Sequence, residues 1–214
     1  MAHSLTERLG RAPVVPLIQA EKPDVAAAIA QALQAGGLDV VEVVLRSDHA
    51  IACLQRVAES LPEATVGAGT VLTADQARAA IDAGAAFIVS PGLDEGVVQV
   101  AQGAGLPVFP GIATATELQR AWNLGLDTVK FFPAGLAGGT AMLKTLGAVF
   151  RGVRFMPTGG VSAANLAEYL AIPAVIACGG SWLTPAAKVK SGNYAAITRL
   201  AEQALAIAAR AREH

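Results

Sequence analysis

The amino-acid sequence predicts an α/β fold: a (β/α)8 TIM barrel with one extra helix before its first strand. Short apolar runs rich in Val, Ile and Phe alternate with Ala-rich helical segments along the whole chain. These runs number eight, which is the strand count that closes such a barrel. The first run is followed by residues 19–23, Gln-Ala-Glu-Lys-Pro, rather than by the glycine-rich turn that opens a doubly wound open sheet.

The predicted elements follow one another as strand, turn and helix. The predicted strands are Val14–Ile18, Val40–Arg46, Thr65–Ala68, Phe87–Ser90, Pro107–Pro110, Thr128–Phe132, Arg154–Pro157 and Ala174–Ala177. The predicted helices are Leu5–Leu9, Asp24–Ala35, His49–Ser60, Thr73–Ala83, Glu95–Gln102, Thr116–Asn123, Thr140–Val149, Ala163–Leu170, Pro185–Val189 and Tyr194–Arg212. The helix Leu5–Leu9 is expected to cap the bottom of the barrel. No linker or charge block interrupts the pattern, so residues 1–214 are expected to form one TIM-barrel domain.

Composition narrows the range of functions. Of the 214 residues, 53% are hydrophobic and only 15% are charged, which excludes a disordered chain. The net charge of −1 gives no basis for binding nucleic acid or an anionic membrane. The amino-terminal residues lack the apolar core of a signal peptide, and no apolar stretch reaches the roughly 18 residues of a membrane span. Together with only two cysteines, these features predict a cytoplasmic protein.

Lys130 is the most informative single residue. It lies in the apolar run Thr128–Phe132, which predicts a buried strand with one ammonium group inside it. An unpaired buried charge costs several kcal/mol, roughly, so a lysine at this position needs a partner or a task. A desolvated lysine is suited to nucleophilic attack on a carbonyl group, which forms a Schiff base.

Side-chain alternation predicts which residues accompany Lys130 inside the barrel. Alternate residues of a strand share a face. The inward sets are therefore expected to be Glu42, Val44 and Arg46 on the second strand, Val66, Ala68 and then Thr70 on the third, and Thr128, Lys130 and Phe132 on the sixth. Barrel enzymes keep their active sites at the carboxyl ends of the strands, where these residues converge. A purely structural ion pair between Glu42 and Lys130 is the alternative interpretation.

Two glycine-rich segments indicate a phosphorylated ligand. Residues 157–161 read Pro-Thr-Gly-Gly-Val, and residues 178–182 read Cys-Gly-Gly-Ser-Trp. Glycine lets backbone N–H groups approach an anion closely. Either segment alone is more often a simple turn. Their positions after the seventh and eighth predicted strands match the recurrent phosphate site of this barrel.

These motifs together resemble the 2-keto-3-deoxy-6-phosphogluconate aldolase family, the KDPG/KHG aldolases, which are class I enzymes. The matching segments span nearly the whole chain in order: residues 41–46 (VEVVLR), 66–72 (VGAGTVL), 90–93 (SPGL), 109–112 (FPGI), 130–134 (KFFPA), 154–160 (RFMPTGG) and 179–183 (GGSWL).

The resemblance implies a role for each matching residue. Lys130 would be the Schiff-base lysine, Glu42 the general acid/base, and Arg46 with Thr70 the ligands of the substrate carboxylate. The remaining matches would be substrate-binding: Pro91 and Phe132 beside the carbon chain, Thr158 beside the hydroxyls, and Gly159, Gly160, Gly180 and Ser181 at the phosphate. Val44 departs from the usual threonine of the family strand, which puts the substrate range in question. The resemblance also implies a homotrimer.

The expected function is metal-independent cleavage of 2-keto-3-deoxy-6-phosphogluconate to pyruvate and glyceraldehyde 3-phosphate. Alternatives within the family are the galactonate-configured substrate and 4-hydroxy-2-oxoglutarate. More distant alternatives are a phosphate-binding isomerase or epimerase using Glu42 as base, and a sugar-phosphate sensor. No cofactor is expected, and His3, His49 and His214 are too scattered to form a metal site.

Overall fold

The computed structural model describes residues 5–212, and in that range nine short parallel strands alternate with ten α-helices. The strands are β1 (Val14–Ile18), β2 (Val40–Val44), β3 (Thr65–Gly69), β4 (Ile88–Val89), β5 (Val108–Phe109), β6 (Gly111–Ile112), β7 (Thr128–Phe131), β8 (Arg154–Pro157) and β9 (Cys178–Gly180). The helices are α1 (Leu5–Arg11), α2 (Pro23–Ala35), α3 (Ala50–Ser60), α4 (Ala74–Asp82), α5 (Glu95–Gly103), α6 (Ala115–Asn123), α7 (Gly139–Val149), α8 (Leu166–Leu170), α9 (Ala186–Lys190) and α10 (Tyr194–Arg212).

The strands form two parallel sheets that continue one another. Six strands pair in the order β5-β4-β3-β2-β1-β9, and three pair in the order β6-β7-β8. Only Pro110 separates β5 from β6 along the chain. On the other side, isolated parallel bridges join Phe155 to Val175 and Thr158 to Gly179. The α/β class with a curled parallel sheet is therefore confirmed.

The core has an outer and an inner part. The outer part lies between strands and helices and holds most of the buried Val, Leu, Ile and Ala side chains. The inner part is a smaller cluster of eight residues: Leu9, Val15, Val40, Phe87, Val89, Phe109, Met156 and Ala177. Leu9 belongs to α1, so this amino-terminal helix packs against the inner cluster.

Several predicted strands differ from the observed ones by one or two end residues, and two differ in their pairing. The fifth was predicted to end at Pro110, but strand pairing resumes as β6 after this proline, which has no N–H to donate. β5 pairs with β4, and β6 pairs with β7. The eighth was predicted at Ala174–Ala177, but β9 begins at Cys178. Backbone bonds join residues 174 and 176 to Phe155 of β8, and only from Cys178 onward does the chain pair with β1.

Hydrogen bonds join the carboxy-terminal helix α10 to the amino-terminal helices α1 and α2. Thr198 Oγ1 donates to the carbonyl of Ala32 at 2.9 Å, which joins α10 to α2. Arg212 donates to the carbonyls of Gly10 at 2.7 Å and Ile176 at 2.8 Å. The final turn of α10 therefore holds both the end of α1 and the approach to β9.

Both cysteines are buried free thiols. Burial raises the pKa of Cys178 far above its ordinary value, and Arg212 offsets only part of that effect. Burial is also the main reason that the pKa of Cys53 is raised, with the charge of Glu21 adding to it. Neither is suited to act as a nucleophile, because the reactive form is the thiolate. Among the helices of residues 5–212, none has the length and apolarity needed to cross a bilayer.

Candidate active site

Strands β2 and β7 present Glu42 and Lys130 on the inner face of the sheet. Val41 and Val43, and likewise Val129 and Phe131, pack into the outer core, so the residues between them face the other way. Lys130 also lies beside Met156 of the inner cluster in the β7–β8 register. The alternation predicted from sequence is correct for these two strands.

Glu42 and Lys130 form a fully enclosed pair. Glu42 is 0% and Lys130 only 2% exposed. Lys130 Nζ lies 3.8 Å from Glu42 Oε1, which is beyond hydrogen-bond distance. Both Glu42 oxygens lack a hydrogen-bond partner, and they are the only buried side-chain polar atoms within residues 5–212 in that state. Burying a carboxylate without hydrogen bonds costs folding free energy, and its oxygens remain available to a reacting group.

Thr70 and Arg46 meet just past the ends of β3 and β2, although the predicted alternation on β3 was wrong. Val66 and Ala68 pack into the outer core, so Gly67 and Gly69 occupy the inner face instead. Thr70 would then point outward, but its φ of 58° is in the left-handed region, which redirects the chain. Its Oγ1 accepts a hydrogen bond of 3.0 Å from Arg46 Nε. The remaining guanidinium donors suit a carboxylate ligand.

The segment after β8 forms a tight backbone loop. Gly159 and Gly160 have φ values of 87° and 85°, which favour glycine. Carbonyls of Thr158 and Gly159 accept hydrogen bonds from the N–H groups of Ala134 and Gly135, which fixes this loop beside the end of β7. The buried hydroxyl of Thr158 lies 3.4 Å from the carbonyl of Met156.

The second glycine-rich segment is a strand rather than a loop after one. Gly179 and Gly180 pair with Val15 and Pro16 inside β9, and the short 3-10 helix Ser181–Leu183 follows directly. Thr158 and Gly179 form one of the isolated bridges, so the two segments are neighbours in space as well. The exposed Ser181 follows this strand at the mouth.

Phe132 lies beside Lys130, and Pro91 lies against Gly111, the β6 residue paired with Lys130. The Phe132 ring centroid is 5.2 Å from Lys130 Nζ, a distance at which the ring face attracts a cation. Pro91 follows the buried Ser90, whose hydroxyl donates to the carbonyl of Gly92 at 2.7 Å and shapes that turn. The carbonyl of Pro91 abuts Gly111 of β6, which leaves no space for a side chain there.

A cavity of about 680 Å³ opens where β1 and β2 end. Its lining includes Val44 and Leu17 deeper inside, Arg46 and Ser181 at the mouth, and Lys22, Gln19 and Lys190 toward solvent. Neither Lys130 nor Glu42 is among its lining residues. Its size is in the roughly 300–1,000 Å³ range of small-molecule sites. No cluster of three or more His, Cys, Asp or Glu side chains suited to a metal ion occurs within residues 5–212.

Known proteins are similar to this chain over most of its length. The family model described as KDPG and KHG aldolase matches residues 5–200. A 2-dehydro-3-deoxy-phosphogluconate aldolase of Treponema pallidum is 45% identical over 204 residues, covering 95% of this chain and 97% of the relative. The chain belongs to the KDPG and KHG aldolase family.

Solved structures of KDPG aldolases superpose closely. The enzyme of Zymomonas mobilis, solved with 3-phosphoglycerate, matches with a TM-score of 0.88 and 42% identity over 94% of each chain. The enzyme of Legionella pneumophila matches with a TM-score of 0.89 and 38% identity over 94% of this chain and 97% of that one. In the Legionella aldolase, pyruvate was captured as a covalent carbinolamine.

Gly69 shapes the site of this KDPG/KHG aldolase chain, although the sequence motifs assigned it no role. Gly69 lies directly against the Glu42 carboxylate, and a methyl group there would overlap it. The signal was present in the alternating glycines of residues 66–70, because side chains missing from every second position of a strand clear one face.

Proposed function

We propose that this protein is a class I aldolase that cleaves 2-keto-3-deoxy-6-phosphogluconate to pyruvate and glyceraldehyde 3-phosphate. The observation that carries the proposal is the enclosed pair itself: a buried amine 3.8 Å from a buried carboxylate whose oxygens lack hydrogen-bond partners. The substrate is taken from the relatives, which are named for it at up to 45% identity. No metal or cofactor is required by the chemistry.

Lys130 would begin the reaction. Its Nζ attacks the 2-keto carbon, and loss of water from the carbinolamine gives a protonated imine. This cation draws the electrons of the C3–C4 bond when that bond breaks, which leaves the enamine of pyruvate on the lysine. Hydrolysis of the imine, after the enamine carbon has taken up a proton, releases pyruvate.

Glu42 would move the protons of these steps. It accepts the proton of the C4 hydroxyl as the C3–C4 bond breaks, directly or through a water, and returns it to the enamine carbon. A single carboxylate suffices because the steps are successive. The missing hydrogen-bond partners support this role, since no group among residues 5–212 donates a hydrogen bond to either oxygen.

The remaining residues would orient the substrate from end to end. Arg46 and Thr70, joined at 3.0 Å, would hold the pyruvate carboxylate. Pro91 and Phe132 would flank the carbon chain and Thr158 its hydroxyls. The phosphate would be bound by Gly159, Gly160, Gly180 and Ser181, whose segments are bridged to each other.

We also propose that the strands close as a (β/α)8 barrel forming one domain over residues 1–214. The β5–Pro110–β6 segment would serve as a single interrupted strand, because its halves pair with β4 and β7. The isolated bridges at Phe155 and Thr158 support closure between β8 and β9. The hydrogen bond from Arg212 to the carbonyl of Gly10 supports a single domain, because it joins the two ends of the described chain.

The proposal extends to the oligomeric state and the cellular location of the protein. A homotrimer is expected from the family, and exposed Leu72, Trp122, Leu136 and Val149 offer apolar surface for such contacts. We place the protein in the cytoplasm on the composition arguments given above. The galactonate-configured substrate and 4-hydroxy-2-oxoglutarate are the alternative substrates within the same reaction.

The test is borohydride trapping. Incubation with pyruvate and borohydride, followed by peptide mass mapping, should place one reduced pyruvyl adduct on Lys130. Lys130→Ala should lose both the adduct and aldol cleavage, while the matched control Lys144→Ala, at an exposed lysine of α7, keeps both. A folded wild-type protein that forms no adduct would instead favour the isomerase or sensor interpretation.

A further inference from the structure

No hydrogen bond fixes the position of the Glu42 carboxylate. It is fully buried, neither oxygen has a hydrogen-bond partner within residues 5–212, and Lys130 Nζ is 3.8 Å away. Carboxylates that act in catalysis are usually fixed by neighbouring donors. Besides the ion pair with Lys130, the shape of the surroundings must therefore fix the position of the carboxylate.

Gly69 supplies that shape. A Cβ atom built on Gly69 would overlap Oε1 of Glu42 and lie 2.5 Å from its Cδ and 2.6 Å from its Cγ. All three of the nearest atoms belong to Glu42, and real Cβ atoms essentially never approach so closely. The Glu42 side chain therefore lies across β3, in the space that any other residue at position 69 would fill.

The glycine is required for space and not for backbone conformation. Gly69 is absent from the glycines with positive φ, and its carbonyl accepts a 2.7 Å hydrogen bond from Leu45 N–H. Gly67, two residues earlier, clears space for a different side chain, since a Cβ there would strike the Phe87 ring. The bare inner face of β3 thus accommodates an apolar ring at one level and the carboxylate at the next.

We infer that Gly69 is a positioning residue of the active site: its missing side chain sets where the Glu42 carboxylate lies relative to Lys130. A methyl group at position 69 would push the carboxylate away from its present position without removing any reacting group. Misplacement of a catalytic group by about 1 Å costs on the order of 100-fold in rate.

The first experiment measures steady-state kinetics of Gly69→Ala. We expect kcat for aldol cleavage to fall about 100-fold while KM stays within about threefold, because Arg46 and the phosphate-binding segments are unchanged. Gly103→Ala, in α5 where an added Cβ meets nothing within 4 Å, is the matched control and should keep wild-type kcat. A folded Gly69→Ala protein with kcat within threefold of wild type would overturn the inference.

A stability cycle tests the shared space independently of activity. Gly69→Ala should lower the midpoint of urea unfolding in the wild-type background, or prevent folding, and should have little effect in the Glu42→Ala background. An equal loss in both backgrounds would show that the added methyl clashes elsewhere, which contradicts the inference. The kinetic arm rests on the proposed aldol cleavage. If the wild-type protein lacks that activity, the proposed function fails while the stability cycle still decides the role of Gly69.

Discussion

Thr70 combines backbone strain with a role in binding. It is the only residue other than glycine with positive φ within residues 5–212, and a β-branched side chain is disfavoured there. The strain turns its hydroxyl toward Arg46 Nε. A strained residue that aims a polar group into a mouth of the fold is a recurrent feature of functional sites.

Thr70→Gly should therefore separate stability from function. Relief of the left-handed conformation, about 1–2 kcal/mol, offsets the roughly 0.5–1 kcal/mol entropic cost of glycine, so the free energy of unfolding should not fall. Loss of the hydroxyl should lower kcat/KM about tenfold, or ~1.4 kcal/mol. Urea unfolding and steady-state kinetics measure the two effects.

Thr65→Gly is the matched control for this substitution. Thr65 lies on β3 with no positive φ, so glycine there should cost about 0.5–1 kcal/mol of stability. If Thr70→Gly destabilised the protein as much as Thr65→Gly does, the strain at position 70 would be negligible.

At the scale of elements, α6 begins with a complete capping box. The N–H of Glu117 donates to Thr114 Oγ1, and Glu117 Oε2 accepts from the N–H groups of Ala113 and Thr114 at 2.8 and 2.9 Å. The hydrogen bond from Ala113 is the main reason that the pKa of Glu117 is lowered, although partial burial opposes it. The charged form is thus the one that stabilises this helix.

This lowered pKa predicts a pH-dependent stability difference between the wild type and Glu117→Gln. The contribution is fully present above the ordinary pKa of 4.5 and is lost as pH falls through the lowered folded value. Thermal unfolding at several pH values should show the wild type more stable near neutrality and the gap narrowing below that pKa. Gln119→Ala, at an exposed position of the same helix, should leave the pH dependence unchanged. A gap that widened in acid would contradict the assignment.

Sequence patterns predicted those elements whose side chains mark their faces. β2 and β7 carry large apolar residues at alternate positions, so the inward placement of Glu42 and Lys130 was correct. β3 was assigned the wrong face because glycines at 67 and 69 have no side chain to mark the interior. Thr70 nevertheless lies on the expected side, because its left-handed backbone redirects the chain, which simple alternation does not predict.

Pairing partners were harder to predict than strand composition. The apolar run before Cys178 has the sequence of a strand, yet residues 174 and 176 bond to Phe155 while pairing with β1 starts only at Cys178. Such a division depends on where two distant strands end, which local sequence does not encode. The resemblance nevertheless identified the correct family, because its motifs combine residues from strands across the fold.

At the scale of the whole molecule, the contact between α2 and α10 joins early and late parts of the chain. A Cβ atom on Gly36 would lie 2.6 Å from Ala201 Cβ and 2.7 Å from the carbonyl oxygen of Thr198. Gly36 has a negative φ, so it is needed for this close approach and not for its conformation.

Gly36→Ala should lower the free energy of unfolding by about 1–3 kcal/mol, because an overpacked contact forces the two helices apart. Adding Ala201→Gly should restore part of the loss and no more, since the Thr198 carbonyl still obstructs the methyl group. Urea unfolding of the single and double variants measures both effects. Strict additivity of the two substitutions would argue that the residues do not share this contact.

The deep burial of Cys178 gives the protein an internal reporter of its own opening. The thiol begins β9, is 0% exposed, and its raised pKa suppresses the reactive thiolate. A thiol reagent can therefore modify it only in molecules whose β9 has separated from its surroundings. The rate of modification therefore measures how often β9 opens in the native state. A ligand that bridges the neighbouring glycine-rich segments would lower this rate in proportion to its occupancy.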